Sequence, residues 1–97
     1  MAFVPGQRWI SNAEPELGLG TVVRIEGRTV QVLFATAGML RRYAMHAAPL
    51  SRAQFRVGQK VSGQKQTFAI ERISENEGLF TYHGSERNLP EAELDDT

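Results

Sequence analysis

Phe3-Val4-Pro5-Gly6-Gln7-Arg8 returns as Phe55-Arg56-Val57-Gly58-Gln59-Lys60, 52 residues further along the chain. Both copies open on Phe, close on Gly-Gln followed by a basic residue, and lead into β-branched sequence punctuated by Gly-bearing turns. A fixed internal period sets the architecture before any single residue is read. The 97 residues therefore read as two copies of one small β unit. A lone unit of roughly 45–50 residues hides only a little over half of its unfolded surface and is marginal by itself. The two copies are accordingly expected to share an interface and fold as one cooperative body.

Working outward through the first copy, Gly6 to Ser11 reads as a short strand. Ser11-Asn12-Ala13-Glu14 fits a helix-capping pattern, but Pro15 and the glycines after it leave no helix to cap, so Ser11 to Gly20 reads as a loop. Thr21 to Ile25 and Thr29 to Phe34 are β-branched runs on either side of Glu26-Gly27-Arg28, the signature of a hairpin. Val30, Val32 and Phe34 alternate with Thr29 and Gln31, which gives the second arm one buried and one wet face. Ala35 to Gly38 turns the chain into a third strand, Met39 to Ala44. Met45 to Ala53, broken by Pro49, reads as the joint between the copies.

The second copy follows the same plan. Gly58 to Ser62 opens it and Gly63 to Gln66 forms a loop. Thr67 to Ile73 then pairs with Leu79 to His83 across a turn at Glu75-Asn76-Glu77-Gly78. Leu89 to Leu94 is expected to form one helical turn, since Pro90 suits an early helical position, and Asp95-Asp96-Thr97 reads as the start of a solvated linker. Short strands at close spacing with glycine turns predict an all-β chain. The expected architecture is two tandem small Tudor/KOW-like (SH3-like) barrels, or strongly bent antiparallel sheets packed together, with units at 1–52 and 53–97. No long amphipathic helix can be built from this sequence.

Composition narrows the function. Net charge is zero, with residues 1–50 carrying five Arg against three Glu and residues 51–97 six Lys or Arg against eight Glu or Asp. A protein that grips duplex DNA through phosphates carries a basic excess, which is missing here. There is no cysteine, which fits a reducing cytosol. The start of the chain lacks the pattern of a secretory signal, and no apolar run approaches the roughly 20 residues of a membrane span. A cytoplasmic location, no membrane partner and a monomeric state are the expectation.

Catalytic and metal chemistry find little support. Gly18-x-Gly20 is followed by a strand and lacks the third glycine of a dinucleotide loop, so both are expected to be turn glycines. No Gly-Lys-Ser or Gly-Lys-Thr occurs, and His46 and His83 have no neighbouring ligand types. Seven of the nine Glu lie at turns or in the last dozen residues, where exposure is expected. Trp9 and the phenylalanines are expected to build two small cores rather than an aromatic cage, with Tyr43 and Tyr82 at the surface. No catalytic, cofactor or metal residue is assigned. The best candidate partner-binding patch is Arg41-Arg42-Tyr43 with Arg24 and Arg28, because Arg and Tyr carry energy at interfaces. On a strand Arg41 and Tyr43 share one face and Arg42 takes the other.

Gly6-Gln7-Arg8-Trp9-Ile10-Ser11 followed by Glu16-Leu17-Gly18-Leu19-Gly20-Thr21-Val22 resembles the opening of the RapA (HepA) family of bacterial RNA polymerase-associated, Swi/Snf-class ATPases. The likeness continues through Phe34, Gly38, Arg41-x-Tyr43-Ala44, Ala48-Pro49-Leu50-Ser51-Arg52, Phe55-x-x-Gly58 and Gly78-Leu79-x-Thr81-Tyr82-x-Gly84, and spans essentially the whole chain. Where such proteins often carry Thr-Gly, this sequence has Ala37-Gly38. The resemblance implies an N-terminal pair of Tudor-like or KOW-like units that docks on the RNA polymerase core enzyme and restrains an ATPase core downstream. ATP and Mg would belong to that core, in a parent implicated in polymerase recycling. Because some KOW-like domains touch nucleic acid, direct RNA or DNA backbone contact by the arginines is the alternative.

Overall fold

The computed structural model describes residues 3–96, and within them the repeated hexapeptide folds the same way twice. Gly6 and Gly58 take φ of 97° and 95°, a conformation that only glycine adopts without strain. The following Gln closes each turn: Gln7 N–H donates to the Val4 carbonyl at 3.1 Å and Gln59 N–H to that of Arg56 at 3.0 Å. The Gln side chains complete it, Oε1 accepting from Val4 N–H at 3.0 Å in one copy and from Arg56 N–H at 2.6 Å in the other. Each turn is then pinned to its own hairpin. Gly6 N–H donates to Val22 O and Val22 N–H to Gln7 O, while Gly58 N–H donates to Ile70 O and Ile70 N–H to Gln59 O, all at 2.8–2.9 Å.

The first half is a five-stranded antiparallel sheet built from β1 (Arg8–Ser11), β2 (Leu19–Glu26), β3 (Thr29–Phe34), β4 (Met39–Ala44) and β5 (Leu50–Arg52), in the order β4-β3-β2-β1-β5. The second half has β6 (Lys60–Gly63) paired with β7 (Gln66–Ala69), and β8 (Arg72–Asn76), β9 (Leu79–Gly84) and β10 (Arg87–Pro90) in the order β10-β9-β8. An isolated bridge from Gly63 to Leu94 takes the place that β5 holds beside β1. Neither half closes into a barrel, so strongly bent sheets describe them. The only helical segments among the described residues are 3-10 turns at Pro15–Leu17, Ala35–Ala37, Met45–Ala47 and Glu91–Glu93.

Several sequence expectations need correction. The run Thr67 to Ile73 is not one strand: it breaks after Ala69, and Arg72–Asn76 alone pairs with β9. The equivalent β2 stays whole, absorbing its bend as a bulge at Val23. The joint contains β5, which pairs with β1 and forms the first sheet's far edge. Leu89 belongs to β10, and the helical turn shrinks to Glu91–Glu93. Asp95 and Asp96 do not begin a solvated linker. Asp95 N–H donates to Ser62 O at 2.9 Å and Asp96 pairs with Arg8, so Leu94 to Asp96 form a strap along β6 that reaches Arg8 of the first half; Thr97 lies outside the described residues.

Two cores result. Trp9, Leu17, Val22, Val30, Val32 and Phe34 fill the first, and Val61, Ile70, Tyr82, Leu89 and Leu94 the second, with Leu19 of β2 reaching into the latter. Tyr82, expected at the surface, is wholly buried, its hydroxyl accepting from Phe55 N–H at 3.2 Å. Tyr43 is half-buried. Gly18 keeps its turn role at φ 81°, but Gly20 lies within β2 for a different reason: a Cβ there would stand 2.6 Å from both Phe34 and Val32.

Candidate functional site

The candidate arginine patch is spread over β2, the β2–β3 turn and β4 of the first sheet, and strand register divides it between two faces. Val32 pairs with Arg41 and Val30 with Tyr43, so Arg41 and Tyr43 lie on the inner, core-facing side. Arg24, Gln31 and Arg42 form a cross-strand row on the outer side, next to a row of Thr21, Leu33 and Leu40. Arg28 stands at the β2–β3 turn. The five residues therefore do not form a single contact face.

Arg41 is already engaged. Its Nε and Nη2 donate to Glu14 Oε1 and Oε2 at 3.2 and 3.1 Å, a two-pronged contact that ties the β1–β2 loop to β4. Ser11 Oγ, accepting from Glu14 N–H at 2.9 Å, sets up that loop, so the Ser11-x-x-Glu14 pattern organises a turn instead of a helix. The hydrogen bond from Arg41 holds the Glu14 carboxyl below its ordinary range, against a smaller opposing effect of desolvation. Arg24 reaches Glu26 at 2.8 Å between two exposed side chains. Arg28 and Arg42 make no ion pair among the described residues.

β4 is also a sheet edge, bordered by β3 alone. Met45 N–H donates to Arg28 O at 2.9 Å. By the alternation of an antiparallel ladder, Tyr43, Arg41 and Met39 then exchange bonds with Val30, Val32 and Phe34, while the N–H and C=O groups of Leu40, Arg42 and Ala44 point away from the sheet. Leu40 is 55% exposed, with Leu33 and Val23 also accessible on the outer side.

The strongest polar constellation lies elsewhere, between the halves, and sequence reasoning missed it. Glu91 is 1% exposed and its carboxylate accepts four donors. Oε1 takes Arg8 N–H at 2.8 Å and Arg52 Nη1 at 2.5 Å; Oε2 takes Arg52 Nη2 and Phe80 N–H, each at 2.5 Å. Arg52 also donates to the carbonyls of Arg8 at 3.0 Å and Gly78 at 3.1 Å, and its guanidinium lies 4.4 Å from the Phe80 ring centre. Arg8, likewise 1% exposed, donates to Gly20 O, Leu94 O, Glu91 O and the Asp96 carboxylate. Buried Arg8 and Glu91, each paired with a partly buried ion of the other half, are thus saturated with partners, which is what an ion pair needs to survive burial. A Glu near the end of a chain looks exposed in sequence; only its partners from residues 8 and 52 bury it.

His83 is similarly occupied, Nε2 lying 2.7 Å from Ser74 Oγ and Nδ1 2.6 Å from Asn88 Oδ1, which stitches β8, β9 and β10 together. Among the described residues no three His, Cys, Asp or Glu cluster as metal ligands, and no helix is long and apolar enough to cross a membrane.

Two bent β modules fastened by an internal ion network, with arginines and an open strand edge outside, define a tandem small-β module. Residues 3–53 match the family described as RapA N-terminal Tudor like domain 1, and residues 55–97 match RapA N-terminal Tudor like domain. The chain belongs to the RapA N-terminal Tudor-like family. It is 48% identical over 85 residues to the RNA polymerase-associated protein RapA of Proteus mirabilis, covering 87% of this chain and 9% of that protein. The protein of the same description from Pseudomonas aeruginosa is 43% identical over 100 residues, and that from Vibrio vulnificus 45% over 92, covering 95% and 94% of this chain and 10% of each relative. The chain thus spans about a tenth of the length of these curated relatives. Both matched spans are Tudor-like, and the chain contains no catalytic domain.

Proposed function

We propose that this chain is a protein-docking module that seats an RNA polymerase-associated protein on the RNA polymerase core enzyme. The observation that carries this reading is that both halves match RapA N-terminal Tudor-like domains and that the relatives matched are described as RNA polymerase-associated. The structure is consistent with it. Its buried ionic groups are spent on holding the two halves together, and its exposed arginines and sheet edge are available to a partner. In this reading ATP and Mg act in a separate ATPase region, the module orients and restrains that region, and the site of action is the cytoplasm.

Binding of the 97-residue chain to core RNA polymerase, followed by calorimetry with a full-length RapA as positive control, is the direct test. A saturable 1:1 complex is expected. Absence of binding by the chain while the control binds would remove the docking role.

A further inference from the structure

The outer edge of β4 combines three features that a solvated strand does not need together: a backbone and a cation without partners among the described residues, and an apolar side chain two positions from that cation. We infer that β4 accepts an extended segment of RNA polymerase as a sixth strand, with an apolar residue opposite Leu40 and a carboxylate opposite Arg42. This rests on the docking reading above and specifies the surface and the chemistry of what it binds.

The backbone supplies the first part. Leu40, Arg42 and Ala44 present N–H and C=O groups outward along a six-residue edge strand that borders β3 alone. An exposed edge of this kind is a template for another strand, whose main-chain bonds give affinity while side chains on alternate positions give selectivity. The side chains supply the second. Leu40 and Arg42 both project from the outer face, two residues apart, so the residues facing them on an added strand are also two apart. Leu33 stands next to Leu40 in its cross-strand row, which extends the apolar strip inward. Arg42 has no ion-pair partner among the described residues, and across Gln31 from it stands Arg24. Arg28 at the turn is likewise unpaired. Among the described residues Glu26, on Arg24, is the one carboxylate paired with these arginines, so the outer face favours an acidic segment.

The alternative face is less suited. Arg41 and Tyr43 point inward, and Arg41 is held by both oxygens of Glu14. The arginine doublet thus divides its work, Arg41 fixing β4 to the β1–β2 loop and Arg42 facing out.

The test uses core RNA polymerase and amide hydrogen exchange of the 97-residue chain, read after release from the complex. The amides of Leu40, Arg42 and Ala44, open in the free chain, should exchange at least roughly tenfold more slowly in the complex. Arg42→Glu should weaken binding by roughly tenfold or more, since it opposes the acidic segment. Leu40→Ser should weaken it as well. Arg56→Glu, the same charge change at an exposed position of the second half, should leave binding unchanged; thermal melts of all three variants verify folding. If the chain binds but these three amides keep their free-state exchange, or Arg42→Glu and Arg56→Glu behave alike, docking stands on another face and the edge assignment falls. If the chain does not bind at all, the docking reading falls and the assignment with it. If single-stranded RNA displaces the polymerase from the chain with a steep salt dependence, the arginines read phosphate and the strand assignment is overturned.

Discussion

Glu14 and Arg41 show how far a residue's role depends on what faces it. In sequence Arg41 is one half of a basic doublet; in the fold it is bound twice to Glu14 across 27 positions. Its hydrogen bond lowers the Glu14 carboxyl, so the folded state holds the charged form more firmly than the unfolded chain does. A carboxyl lowered on folding contributes stability above its ordinary range and loses it as pH falls through the lowered value. The Glu14 carboxyl should therefore titrate below the ordinary glutamate range in a carbon-detected NMR titration, and Arg41→Ala should move its midpoint back up toward that range. A midpoint that Arg41→Ala leaves in place would show that the pairing does not hold in solution. Both ends of this contact are only partly buried and screened by water, so it positions the loop more than it stabilises the protein.

At the scale of elements, the two copies diverge where their second strand must bend. In the first half β2 runs eight residues and takes the bend as a bulge at Val23, keeping five strands in one sheet. In the second, the run breaks after Ala69, and Glu71 N–H donates to His83 O at 2.8 Å just before β8 starts at Arg72. The broken sheet is compensated by the strap, whose Leu94 bridges Gly63 of β6. That approach needs a glycine: a Cβ on Gly63 would lie 2.3 Å from the Glu93 carbonyl oxygen, a backbone atom that cannot swing aside. Gly63→Ala should thus push the strap off β6 and destabilise the chain by about 1–3 kcal/mol, the usual cost of overpacking. Urea denaturation checks this, with the Asp95 amide, bonded to Ser62 O in the parent, becoming open to exchange. Full retention of stability would mean that the strap contributes nothing.

At the scale of the molecule, Glu91 decides whether there is one body or two. Its carboxylate gathers Arg8 and Arg52 of the first half and Phe80 of the second, and Arg8 returns the contact to Leu94 and Asp96. The halves should consequently unfold together. The fluorescence of Trp9, the only tryptophan and a first-core residue, should give the same urea midpoint as the near-ultraviolet signal of Tyr82 in the second core. Glu91→Ala removes the carboxylate partner of Arg52 and leaves the Arg8 and Phe80 N–H groups without their acceptor; it should cost roughly 3–5 kcal/mol, as breaking a buried pair does. A loss below 1 kcal/mol, or two separate midpoints in the unmodified chain, would dissolve the coupling.

The duplication, the all-β class, the β2–β3 hairpin and the family were legible in the sequence because each is carried by local chemistry. Glycines at required φ values, alternating Val30, Val32 and Phe34, and a repeated Phe-x-x-Gly-Gln turn act over a few neighbouring residues. The candidate arginines were legible as residue types, but not their division between two faces, which strand register sets. What only the tertiary structure decided was long-range and ionic. Glu91, Arg8, Arg52 and Asp96 look like ordinary surface charges until residues about forty to ninety positions apart converge, and Tyr82 looks amphipathic until the Phe55 amide covers its hydroxyl. Backbone turns need only their neighbours, whereas a buried charge is defined by partners that the chain supplies only after it has folded.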